Sequence, residues 1–187
     1  FRQGKGVHHL LEQFMRNETP DIAQLILPNA VTLEALRAAE EEDKRQGWVS
    51  ILPSHPQLRL TEMALEERVY SSGRSPTQLA NMLASHIKAA LEPLMPLYDA
   101  ILIDTPPYLS PLARSALLLA DTYVTPTLAD AVSSWGTKQF TDWVTNHVRP
   151  DLAERNFVVV TRFRNTRYAR DAESELRNVY LKDRTFG

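Results

Sequence analysis

Asp104 is the residue of this sequence best placed to do chemistry. Four apolar residues, Ala100-Ile101-Leu102-Ile103, precede it, and Thr105-Pro106-Pro107 follow it. A carboxylate at the end of a buried strand is poorly solvated and stays ionised only beside a cation or several hydrogen-bond donors. Nucleotide enzymes use this arrangement to hold Mg²⁺, directly or through water. The same spacing also suits an aspartate that caps a loop or pairs with a nearby arginine.

A second group is basic. In TRFRNTRYAR (161–170), Arg162, Arg164, Arg167 and Arg170 surround two aromatic residues, a composition suited to phosphate contact and stacking. The plainer reading pairs these arginines with Asp171, Glu173 and Glu175. His8 and His9 are adjacent on a predicted helix, so they point about 100° apart and do not chelate one metal in the i, i+4 manner. They read as surface or half-buried residues. Ser54-His55 follows a strand end without a fixed acid partner in sequence, which argues against a hydrolase triad. Trp135, Phe140 and Trp143 read as core and helix face rather than a base-stacking platform.

The elements that must position these residues alternate along the chain. VHHLLEQFMR (7–16) has the spacing of one helical face, and Thr32 can cap a helix through LEALRAAEEEDKRQ, stopped by Gly47. WVSIL (48–52) has strand composition, and Ser75-Pro76 starts a helix that Pro93 and Pro96 end. Then come a strand at 100–103, a helix at 110–120, a strand at 121–126, a helix at 133–148, a strand at 156–161 and a helix at 168–180. Apolar strands separated by helices predict a parallel α/β sheet covered on both faces, with ligands beyond the carboxyl ends of the strands.

Bulk properties fit one globular domain, 1–187: 187 residues, 43% hydrophobic and 24% charged. A formal net charge of −2 gives no global pull toward nucleic acid or anionic membrane, so such binding needs a local patch. With no cysteine there is no disulfide and no thiolate ligand or nucleophile. No apolar run approaches the roughly 20 residues that span a bilayer. The expected location is the cytoplasm.

Around Asp104 the pattern is specific. YDAILIDTPPYL (98–109), a leucine- and alanine-rich helix and then ADTYVTP (120–126) resemble the ParA/MinD/Soj family of deviant Walker ATPases. GWVSILPSHPQLRLTEMALE (47–66) is similar to the family's strand that leads into an L-x-x-x-E helix, and 156–180 to its late strand and helix. The resemblance implies a Rossmann-like, P-loop NTPase type sheet that binds ATP and Mg²⁺. It places Asp104 near the metal, Thr105, Pro106 and Pro107 in a segment that senses the γ-phosphate, and Thr161 and Arg162 near the nucleotide. It further implies a nucleotide-dependent homodimer, a ParB-like activator and nonspecific DNA contact.

One departure matters. The family grips phosphate through a KGGxGKT-type loop, and this sequence has none: Gly4-Lys5-Gly6 is followed by Val7. The chain resembles such a domain incomplete at both ends, lacking roughly fifty to sixty residues before Phe1 if elements have ordinary lengths. These 187 residues are therefore expected not to hydrolyse ATP alone. A nucleotide-free scaffold that keeps the fold is the rival reading.

Overall fold

The computed structural model describes residues 6–32, 47–162 and 166–180. The predicted helix after Thr32 and Arg164 lie outside them. The chain forms two compact units, Phe1–Leu112 and Ala113–Gly187.

In the first unit, helix α1 (Val7–Met15) inserts two adjacent leucines into two apolar clusters. Leu10 joins Ile22, Leu25, Ala90 and Leu94, while Leu11 joins Leu65, Val69, Leu79 and Leu83. Full burial of a leucine contributes about 1.5–3 kcal/mol, so this pair anchors the helix. The start of α1 is fixed by backbone: Val7 N–H donates to the Pro53 carbonyl (2.9 Å). Gly6 lies at φ 131°, and a Cβ there would fall 2.6 Å from that same oxygen, so only glycine fits.

Helices α2 (Leu58–Ser71) and α3 (Pro76–Leu91) supply the rest of these clusters. Ser75 starts α3 as predicted, through a full capping box: its hydroxyl accepts from Gln78 N–H (3.2 Å) and the Gln78 side chain accepts from Ser75 N–H (2.8 Å). Pro93 and Pro96 end the α-helix as expected, but the chain continues as a 3-10 turn, Glu92–Leu97.

Strand β2 (Trp48–Ile51) forms where its composition predicts. Its partner is β1 (Leu27–Thr32), and the pair is antiparallel, not the parallel pairing expected for the chain's strands. The register is interrupted between Leu27 and Val31, where Asn29 has φ 49°. Such a kink between two short segments is a bulge-like irregularity, and it hides β1 from any period-2 reading of LPNAVT.

The predicted strand at 100–103 is a correction: it does not form. Leu102 is 93% exposed, and Ile101 and Ile103 are each 41% exposed. A strand needs a ladder neighbour as well as suitable residues, and the described strands pair only as β1 with β2 and β3 with β4.

In the second unit, β3 (Tyr123–Leu128) and β4 (Asn156–Thr161) form the expected parallel pair in continuous register from Tyr123↔Asn156 to Leu128↔Thr161. They are joined through α5 (Ala131–His147), as a parallel connection requires. Tyr123, Val144 and the fully buried Leu152 form the core between strand and helix, with Phe140 and Trp143 packed against it. Trp135, expected in that group, is instead 66% exposed. Helices α4 (Pro111–Leu119) and α6 (Arg167–Tyr180) match the sequence expectation, and Arg149 donates to the Leu118 and Ala120 carbonyls at the end of α4 (3.1 and 2.9 Å). The molecule is thus mixed α/β with a small parallel sheet. No described helix is long and apolar enough to cross a membrane.

Candidate functional site

Asp104, Thr105 and Pro107 are exposed and Pro106 is half-buried, so the ILIDTPP segment presents its carboxylate to solvent and not from the end of a sheet strand. Tyr98 anchors the upstream end by packing on the Leu10–Leu94 cluster. Tyr108 anchors the downstream end: its hydroxyl donates to Glu62 Oε2 (3.3 Å) on α2. The carboxylate of Asp104 is therefore carried on a segment held at both ends and open between them.

The anchor is an ionised cluster. Arg59 Nη1 donates to the same Glu62 oxygen (2.9 Å), lies 3.6 Å from Glu66 Oε1, and its guanidinium sits 5.1 Å from the centre of the Tyr108 ring. Its bond to Glu62 holds the Arg59 guanidinium above its ordinary range. Partial burial, and then the Glu62 charge, push the Tyr108 phenol up. Burial and the carboxylates of Glu66 and Glu62 do the same to Tyr70. Spacing alone could not reveal this cluster, because Tyr108 and Glu62 are 46 residues apart. The L-x-x-x-E pattern that places Glu62 on α2 was its only trace.

The other predicted site residues belong to the second unit, at the carboxyl end of the parallel pair. The Thr161 hydroxyl donates to the Thr127 carbonyl (3.2 Å), and the Thr127 and Thr137 hydroxyls are paired in the interior (2.9 Å). Arg162 follows, exposed and at φ 51°. Asp130 caps α5 beside them, accepting from Ser133 N–H and Ser133 Oγ (both 2.8 Å), which holds its carboxyl below the ordinary range. Arg167 and Arg170 are exposed on α6. Of the acidic residues expected to neutralise this basic stretch, Glu173 pairs with Arg177 (2.7 Å).

His8 and His9 are closer to one another and to His55 than their adjacency on a helix suggests. His8 is 6% exposed, its ring 3.8 Å from that of His9 and stacked 4.5 Å from that of His55. Burial and then these two imidazoles hold its pKa below 6.5, with Glu12 opposing. Among the described residues no group of three or more His, Cys, Asp or Glu could hold a metal ion. Asp104 offers a single carboxylate, which suits Mg²⁺ held jointly by protein, phosphates and water, and not an all-protein cage.

A family model described as AAA domain matches residues 10–154. That span contains the Glu62 cluster and the whole Asp104 segment, and it ends before Thr161. No curated protein matches the chain.

Proposed function

We propose that this chain, which belongs to the AAA domain family of P-loop NTPase-like ATPase domains, is a partition-type ATPase domain of the ParA/MinD kind. The observation that carries the proposal is the family match across YDAILIDTPPYL, the segment that bears Asp104, a carboxylate of a kind suited to Mg²⁺ shared with phosphates. In this reading Asp104 would hold Mg²⁺ through water, and Thr105 to Leu109 respond to the γ-phosphate. ATP and Mg²⁺ would supply the chemistry of phosphoryl transfer. Thr161 and Arg162 line the nucleotide side of the parallel pair. The working form is a nucleotide-dependent homodimer with a ParB-like activator, and Arg162, Arg164, Arg167 and Arg170 make nonspecific DNA contact.

The sequence lacks a glycine-rich lysine loop, which favours one second reading: a scaffold that keeps the fold and binds no nucleotide. Reading the coding frame upstream of Phe1 separates the two. If an in-frame KGGxGKT-type stretch is present, the product of that frame should release phosphate from ATP with Mg²⁺, and Asp104→Ala should lower the rate more than about tenfold. The 187-residue chain alone should release none. Without an upstream loop, or with hydrolysis indifferent to Asp104→Ala, the ATPase reading fails.

A further inference from the structure

We propose that Glu62 is a positioning residue that latches the Thr105–Leu109 segment to α2, with Tyr108 the group it grips; the inference rests on the reading of that segment as phosphate-responsive. Three observations lead to it. The first is where Glu62 sits. Its side chain is 3% exposed, on the same inward face of α2 as the buried Leu65 and Val69. A leucine there would bring no polar group to satisfy, whereas a buried carboxylate must be compensated.

The second is how it is compensated. Oε2 receives both the Arg59 guanidinium and the Tyr108 hydroxyl, while Oε1 is buried with no hydrogen-bond partner. A buried acceptor left half-satisfied calls for an explanation other than stability. The Tyr108 bond is long, 3.3 Å, and joins a ring that is itself 43% exposed. A contact of this kind holds the segment weakly and can be released.

The third is what the contact restrains. From the Tyr98 anchor to Tyr108, Ile101, Leu102, Ile103, Asp104 and Thr105 are all exposed. Releasing Tyr108 would extend the untethered stretch downstream to Leu109, where the buried Ser110 and then Leu112, packed on the Leu11–Leu83 cluster, hold the chain again. Arg59 tunes the release, since its charge meets the carboxylates of both Glu62 and Glu66 and the face of the Tyr108 ring.

The test uses the 187-residue chain and no nucleotide. Hydrogen exchange of the buried Ser110 amide, which donates to the Tyr108 carbonyl (3.1 Å), is measured in the wild type, Glu62→Leu, Glu62→Gln, Tyr108→Phe and the Glu62→Leu/Tyr108→Phe double variant. With the latch real, Glu62→Leu and Tyr108→Phe each speed exchange there about tenfold while α3 amides are unchanged. Glu62→Gln, which keeps an acceptor for the tyrosine, stays near the wild type. The double variant exchanges no faster than either single one. The phenol absorbance that disappears in Tyr108→Phe should also titrate at lower pH in Glu62→Leu. Unchanged exchange, additive single effects, or no rescue by glutamine overturns the proposal. Because nucleotide plays no part, such a failure leaves the ATPase reading standing, and failure of the ATPase test leaves these exchange rates as they are.

Discussion

Ala100–Ile103 and Phe157–Val160 are both runs of four apolar residues, and they meet opposite fates. FVVV lies in β4, paired with β3 residue by residue, and its Val158 is 4% exposed. AILI has no ladder, and its Leu102 is 93% exposed. Composition makes a segment compatible with a strand; the partner makes it one, because unpaired backbone groups keep their hydrogen bonds to water only while they remain exposed. The largest effect expected follows from this contrast. Leu152→Ala, at a fully buried position beneath β3, should cost about 2–5 kcal/mol. The same substitution at Leu102 should stay within about 0.5 kcal/mol. Urea unfolding of both variants decides it. A loss at Leu102 as large as at Leu152 would mean that 100–103 is paired and buried in solution after all.

What the sequence made legible divides along the same line. Helix α3 could be read from Ser75-Pro76 because its cap, its first turn and its apolar face are all local. The α5 and β4 elements also carry their signals within themselves. By contrast β1 depends on a partner beginning 16 residues after its last residue, and it contains a proline and a left-handed asparagine, so nothing within LPNAVT announces it. The candidate site divides likewise. Asp104 and its prolines are a contiguous motif, legible from the sequence without any partner. The Glu62 anchor and the stacking of His8 on His55 join residues 46 and 47 positions apart, and only folding brings them together.

The His8 contact offers a second way to sharpen the comparison, because it lies at the exit of a strand that did find a partner. Past β2, the Pro53 carbonyl docks α1 and His55 stacks on His8. The folded chain holds the His8 pKa below 6.5, and burial holds His86 down as well, against its bond to the Leu10 carbonyl. Both contributions are fully present above the unfolded value of 6.5. As pH falls below it the unfolded chain takes up protons that the folded chain resists, and stability is lost down through the folded pKa values. Tm should therefore fall between pH 7.5 and 5. In His8→Phe, which keeps a ring against His55, the fall should be shallower, with His86 supplying what remains. Identical slopes in the two proteins would show that His8 is not held neutral by this packing.

The smallest effect concerns the two helix caps, one in each unit. Ser75 and Asp130 satisfy the same kind of orphan N–H, those of Gln78 and Ser133, but only Asp130 carries a charge. Ser75→Ala should cost about 1 kcal/mol at every pH. Asp130→Ala should also destabilise at neutral pH, where the carboxylate faces the positive end of the α5 dipole. Its bonds to Ser133 depress the folded pKa below 3.8, so the Asp130 contribution is present above 3.8 and is lost as pH falls through the folded value. The gap between wild type and Asp130→Ala should accordingly narrow in acid, and the gap for Ser75→Ala should not. Parallel narrowing in both would assign the acid effect to general charge repulsion rather than to the Asp130 cap.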